Sequence, residues 1–174
     1  MKNSAITEYI ETLKNKHPEW AGNIKGASHD EIKELEDILG KKLPSEYRVF
    51  LETMGRETGG LFAVTNKAHA KGGGFNEYPL KYDFNISSII KLSRKIRRKL
   101  KKNPKLAKKL FYNTGLIPIA LQYHSQDGGY YYLDCRAENT APVVNVDAYG
   151  DLRAISPSLA DFLKEYAFRP EKVF

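Results

Sequence analysis

Three strand-like runs and a short fourth follow one another near the end of the chain with only turn residues between them. They are Leu116-Ile117-Pro118-Ile119-Ala120-Leu121, Tyr130-Tyr131-Tyr132-Leu133-Asp134, Pro142-Val143-Val144-Asn145-Val146 and residues 152–155. The separators carry Gln126-Asp127-Gly128-Gly129, Ala137-Glu138-Asn139-Thr140 and Asp147-Ala148-Tyr149-Gly150-Asp151, turn-type residues with no room for a crossover helix. Parallel strands need a connection of about a dozen residues or more, so consecutive runs without crossover helices favour an antiparallel sheet. With helical segments before and after them, the predicted fold class is α+β, a mostly antiparallel sheet packed against N- and C-terminal helices. Alternation along a strand puts Tyr130 and Tyr132 on one face and Tyr131 on the other, which reads as packing on both faces rather than a base-stacking platform.

The first third of the chain has a helical period. Ile6, Tyr9, Ile10 and Leu13 recur on one face, and Pro18 ends that helix. Ser28-His29-Asp30-Glu31 has the form of a capping box, ahead of an apolar stripe of Ile32, Leu35, Ile38 and Leu39 that exits at Gly40. Pro44 suits a first helical position, with Tyr47, Phe50 and Leu51 on the inner face and Gly55 at the end. Residues 61–65 then read as a strand and residues 66–79, with Gly72-Gly73-Gly74, as a loop. Asn85 is placed to cap a helix reaching about Lys102, with Ile89, Leu92, Ile96 and Leu100 inward. Asn103-Pro104 breaks it, and a short helix carrying Leu106 and Leu110 follows. Ser156 as cap and Pro157 at the first position open a last helix, which buries Leu159, Phe162, Leu163 and Tyr166.

The charge is concentrated. The formal net charge is +7, from 28 Lys and Arg against 21 Asp and Glu. Eleven of those cations fall between Lys91 and Lys109, a stretch with no acid at all. Without them 17 basic residues face 21 acidic ones, a balance of −4. The protein is therefore mildly acidic with one strongly basic block, whose field attracts phosphate or an acidic protein surface. The block contains no aromatic residue on which a base could stack, which favours the acidic protein over nucleic acid.

Little in the chain points to catalysis. A single cysteine, Cys135, excludes an intrachain disulfide and a cysteine-only metal site. His17, His29, His69 and His124 show neither HxH nor HxxxH spacing. There is no GxSxG nucleophile elbow to turn Ser125, His124 and Asp127 or Asp134 into a hydrolytic set, and Gly72-Gly73-Gly74 lacks the phosphate-binding loop pattern. Asp134 is better placed to bond backbone groups of the following turn. No cofactor and no metal are expected, and the chain is read as a non-enzyme. No run approaches the roughly 18 apolar residues of a membrane span. The first residues, Met1-Lys2-Asn3-Ser4-Ala5-Ile6-Thr7-Glu8, lack the apolar core of a secretory signal. The expectation is a soluble, cytoplasmic protein with no membrane partner.

Several segments together resemble the SUKH superfamily, or SMI/KNR family. Leu43-Pro44-Ser45-Glu46-Tyr47-Arg48-Val49-Phe50-Leu51 followed by Met54-Gly55 is similar to its "LP-x-x-(Y/L)-(R/K)-x-(F/L)-L…NG" helix, with Met54 where that pattern carries Asn. Ile117-Pro118-Ile119-Ala120 and then Asp127-Gly128-Gly129-Tyr130-Tyr131-Tyr132-Leu133-Asp134 resemble its core strands. Ser-Pro-Ser-Leu-Ala-Asp-Phe, residues 156–162, resembles its terminal helix. The likeness covers about residues 28–166, so the chain is expected to be a single SUKH-like domain over 1–174 with a basic helical insert at about 86–112. The resemblance implies an antiparallel sheet packed against helices. It also implies a binding role: bacterial members are mostly immunity proteins that neutralise toxins, often nucleases, and fungal relatives are scaffold-like regulators of cell-wall synthesis.

The expected function is an immunity protein that binds a cognate toxin and occludes it. The alternatives are a scaffold or regulatory module for a resident partner, or a nucleic-acid-binding protein using the basic helix. The partner-binding residues are expected to be Arg94, Arg97, Arg98 and Lys101, which follow i, i+3, i+4, i+7 and line one helical stripe. Ile89, Leu92, Ile96 and Leu100 occupy another sector, leaving this stripe to face a partner. Arginine pairs bidentately with carboxylates, which makes it the better short-range contact.

Overall fold

The computed structural model describes residues 5–59, 81–102, 115–123, 130–136, 141–146 and 151–167. The expected strand at 61–65, the 66–79 loop, the helix around Leu106 and Leu110, the turns at 126–129, 137–140 and 147–150, and His69, His124, Ser125 and Asp127 lie outside those residues.

Helix α1 (Ala5–Lys16) buries Ile6, Ile10 and Leu13, the residues its period puts on one side. Pro18 does more than end it: it opens a second short helix, α2 (Pro18–Ala21). Strand β1 (Ile24–Lys25) follows, and then α3 (His29–Leu39), which begins at a complete capping box. The Ser28 N–H donates to the Glu31 carboxylate at 2.8 Å, and the Glu31 N–H donates to Ser28 Oγ at 3.3 Å. Gly40 closes this helix in the left-handed region at φ 70°, where glycine carries no Cβ penalty, and its N–H donates to Glu36 O. Helix α4 (Ser45–Met54) starts one residue later than the sequence suggests. Pro44 keeps an extended ψ of 143° and acts as the cap, with its carbonyl already accepting the Arg48 N–H at 2.9 Å. Tyr47, Phe50, Leu51 and Met54 are fully buried, so Met54 is a core residue.

Strand β2 (Glu57–Thr58) pairs antiparallel with β1. This ribbon, two residues a side, is too short to leave a period in the sequence and was not expected. Among the described residues the sheet proper has five strands in the order β3-β4-β5-β6-β7, all antiparallel: β3 (Lys81–Asp83), β4 (Leu116–Tyr123), β5 (Tyr130–Asp134), β6 (Val143–Val146) and β7 (Leu152–Ser156). The expected α+β architecture is therefore what forms, with β3 as an added edge strand. Proline cannot donate to a strand ladder and is rare in a central strand. Here Pro118 sits where the β4–β5 register shifts, and its carbonyl accepts from the buried Tyr47 hydroxyl at 3.2 Å.

Helix α5 (Ile86–Lys102) lies between β3 and β4 in sequence and packs chiefly against α3, with further contact to β4. Asn85 Oδ1 accepts the Ser87 N–H at 2.9 Å, the capping role its type suggests. The last helix corrects an expectation. Ser156 is the final residue of β7, paired with Val143, and the cap is Ser158, whose Oγ accepts the Asp161 N–H at 3.1 Å. Strand pairing continues through Ser156, so α6 (Leu159–Phe162) starts two residues on, continuing as a wider π-type turn at Leu163–Ala167.

The sheet has an apolar layer on each face. Ile117, Ile119, Tyr131, Leu133 and Val143 join the main core with α1, α3, α4, α6 and the first half of α5. Tyr132, Leu116, Val144 and Val146 form a second cluster, against which Tyr130, Leu152 and Ile96 pack. The alternation of Tyr130 and Tyr132 against Tyr131 is thus realised. Helix α5 contributes to both layers, Ile86, Ile89 and Ile90 to the first and Ile96 to the second.

Candidate partner-binding face

The sequence of α5 divides by position along the helix. Ile86, Ile89, Ile90 and Leu92 are buried. From Lys91 onward eight cations are exposed: Lys91, Arg94, Lys95, Arg97, Arg98, Lys99, Lys101 and Lys102. The remaining cations of the block, Lys105, Lys108 and Lys109, lie outside the described residues. The late cations meet the negative end of the helix dipole, which favours them there.

The four expected binding residues are all exposed and on one side of α5, but two of them also touch α3. Arg94 pairs with Glu34, and Arg97 Nη1 donates to Ile38 O at 3.3 Å, covering one of the last carbonyls of α3. The stripe is therefore not wholly free: its Arg94–Arg97 edge braces α5 against α3. Arg98 turns back along its own helix, Nε to Arg94 O at 3.4 Å, and Lys101 is exposed.

Beside Arg97 the structure forms a groove of about 240 Å³ between the end of α3, the second half of α5 and β4. Its apolar wall is Ile96, Leu100, Leu116 and Tyr132, and its charged members are Lys41 and Arg97. Ser93 also lines it, and its Oγ is buried without a hydrogen-bond partner among the described residues. Sequence reasoning had missed Lys41 and Ser93. The signal for Ser93 was present: it is a hydroxyl on the inner side of a helix whose neighbours there are Ile89, Leu92 and Ile96. Lys41 had none, because only the left-handed exit at Gly40 turns it toward α5. A second groove of about 290 Å³ lies at the start of α4 near Pro157 and Leu159, and Glu46 is its charged residue.

A buried ion cluster fixes the α3–α4 corner beside this face. Glu36 is only 5% exposed and accepts from the Leu43 N–H at 3.0 Å, from Lys42 Nζ at 2.9 Å and from Arg48. Burial alone would raise this carboxyl; the three donors outweigh it and hold the group at about 2. Arg48 of the "LP-x-x-Y-R" segment is therefore a structural residue, tied to Glu36.

Among the described residues, Cys135 and Asp134 are engaged by their neighbours. Burial pushes the Cys135 thiol up, with Lys41 opposing and Asp134 adding to the rise, so little thiolate forms near neutral pH. Arg136 holds the Asp134 carboxyl low, and Asp134 Oδ1 also accepts the Arg136 N–H at 3.2 Å, the turn-bonding role expected of it. Among the described residues no group of three or more His, Cys, Asp or Glu is placed to hold a metal ion, and no helix is long and apolar enough to cross a membrane.

Fold and surface together define an α+β protein with a five-stranded antiparallel meander, helices packed on it and a cationic helix turned outward. The model of the SMI1 / KNR4 family (SUKH-1) matches residues 26–165, most of the 174-residue chain, and the chain belongs to that family. No curated protein matches it.

Proposed function

We propose that this chain is an immunity protein that binds a cognate bacterial toxin, such as a nuclease, and neutralises it by covering its active surface. It acts by binding, in the cytoplasm, without a cofactor. Membership of the SMI1 / KNR4 family supports a protein-binding role. The observation that carries the electrostatic half of the reading is the outer side of α5. Among the described residues, only Arg94 of its eight exposed cations forms an ion pair. Such a surplus of one sign steers an acidic surface into contact and speeds association. Arg94, Arg97, Arg98 and Lys101 are the residues we assign to that contact, with Arg98 and Lys101 the more available pair.

The test is co-expression. The candidate toxin is sought as the C-terminal domain of any large protein encoded beside this gene, and that domain is produced with and without this chain. The expected result is growth arrest by the domain alone, rescue by the chain, and a stoichiometric complex whose association slows as salt rises. Failure of the chain to bind or to protect against that domain overturns the immunity reading.

A further inference from the structure

The groove beside Arg97 is built differently from the rest of the cationic face, which is only exposed charge. We propose that this groove is the docking site for an acidic segment of the protein partner. The segment inserts one apolar side chain against Ile96, Leu100 and Leu116 and sets its carboxylates on Lys41, Arg97 and Lys101. This rests on the reading of the chain as a partner-binding protein, and it names where and by what chemistry the partner is held.

Two observations carry it. The first is size and lining. A volume of about 240 Å³ falls below the roughly 300–1,000 Å³ of clefts that enclose drug-sized ligands, and suits a side chain with its flanking backbone. The apolar residues Ile96, Leu100, Leu116 and Tyr132 come from three elements, α5, β4 and β5, so the wall is continuous and does not belong to one helix face.

The second is charge. Lys41 and Arg97 line the groove, and no acidic residue does among the described ones. Lys101 follows Arg97 by one helical turn on the same side. The C-terminus of α3 opposes an anion here with about half an elementary charge. Two full positive charges outweigh it, and Arg97 already covers Ile38 O. The groove at the start of α4 has Glu46 as its charged residue and so repels the same segment.

Nucleic acid fits less well, because α5 offers no aromatic ring to a base and the groove wall is mostly aliphatic.

The experiment compares two double charge reversals of equal net charge, Lys41→Glu with Arg97→Glu in the groove and Lys95→Glu with Lys99→Glu elsewhere on α5. Each is measured by calorimetry against the toxin domain sought in the co-expression test, after thermal unfolding has placed each variant within about 5 °C of wild type. The groove reversal is expected to weaken binding by about a hundredfold or more, and the outer reversal by less than about fivefold at physiological salt. Equal losses refute the groove and leave a diffuse charge effect. If wild type does not bind the toxin domain at all, the immunity reading fails, and a second probe decides the groove separately. That probe is a fluorescent peptide of one Phe flanked by Asp and Glu on both sides, titrated against wild type and both reversals. Binding lost on Phe→Ala in the peptide and on the groove reversal supports the site. Absence of binding, or equal sensitivity of the two reversals, overturns it. A single-stranded or duplex oligonucleotide that competes the peptide off with greater affinity overturns the protein-segment assignment in favour of nucleic acid.

Discussion

Replacing Glu36 by Gln removes a buried negative charge while keeping its shape, and its cost should depend on pH in a predictable direction. In the native protein the carboxylate accepts from the Leu43 N–H, Lys42 and Arg48. Lys42 is 85% exposed and contributes little; Arg48, at 28%, and the backbone donor do most of the holding. The group is held at about 2 against an ordinary 4.5. At about 1.4 kcal/mol per pH decade, this corresponds to about 3 kcal/mol of stability at neutral pH. The sign follows from a native value below the unfolded one. The contribution is present in full above the unfolded value of 4.5 and drains away as pH falls through the native value of about 2. About 1 kcal/mol remains at pH 3 and almost none at pH 2. Gln can still accept from Leu43 but turns its amide toward Arg48, so Glu36→Gln should cost about 3 kcal/mol at pH 7. Other carboxyls held low, Glu31 and Asp134, titrate in both proteins and cancel in the difference. Urea denaturation of both proteins at pH 7, 5 and 3 checks this. The deficit of the variant should stay constant from pH 7 to pH 5 and shrink to about 1 kcal/mol at pH 3. A deficit below half a kcal/mol at pH 7, or one of equal size at pH 7 and pH 3, would refute the assignment of Glu36 as the charged keystone of this corner.

Three further substitutions test the packing. Leu133→Ala empties a site that is 1% exposed in the main core, and should cost about 2–5 kcal/mol in denaturant unfolding. Tyr47→Phe removes the hydroxyl that donates to Pro118 O, and should cost about 1–2 kcal/mol without changing the far-ultraviolet circular dichroism. Gly26→Ala would place a Cβ 1.8 Å from Glu52 O, so the β1–α3 connection and α4 must move apart. Thermal unfolding should show a loss of at least about 2 kcal/mol, well beyond the gain of about half that which alanine brings by stiffening the unfolded chain.

What was legible in the sequence was whatever has a period or a cap. Of the four helix faces, Ile6, Ile10, Leu13, Ile32, Leu35, Tyr47, Phe50, Leu51, Ile89 and Leu92 are buried as their spacing requires, whereas Tyr9, Ile38, Leu39, Ile96 and Leu100 are only half-buried, and the Ser28–Glu31 box closes as written. The meander followed from separators too short for crossovers. Features set by distant partners were not legible. β1, β2 and β3 have two or three residues each, so only their neighbours make them strands. Ser156 and Ser158 both suit a cap, and the choice between them is made by pairing of Ser156 with Val143. On the cationic face of α5, spacing places Arg94, Arg97, Arg98 and Lys101 on one side of the helix, and all four are exposed. It could not reveal that Glu34 and Ile38 of α3 engage two of them, or that Lys41 arrives beside Arg97.

The basic block raises a problem of stability that the two halves of α5 resolve between them. Lys91–Lys95, Arg94–Arg98, Lys95–Lys99, Arg97–Lys101 and Arg98–Lys102 are five like-charge pairs at i,i+4. At about 0.2–0.5 kcal/mol each they oppose the helix by about 1–2.5 kcal/mol. The residues burying the first half, Ile86, Ile89, Ile90 and Leu92, return about 1.5–3 kcal/mol apiece, several times that repulsion. The apolar half therefore decides that the helix forms, and the charged half is carried with it. Among the described residues, only Arg94 and Arg97 of these cations are also engaged by α3. Cations outside that edge, such as Lys95 and Lys99, can be reversed in sign at little cost to folding, whereas Arg97 also holds Ile38 O, so a loss of binding on reversing Lys41 and Arg97 reports the interface once thermal unfolding shows the variant as stable as wild type.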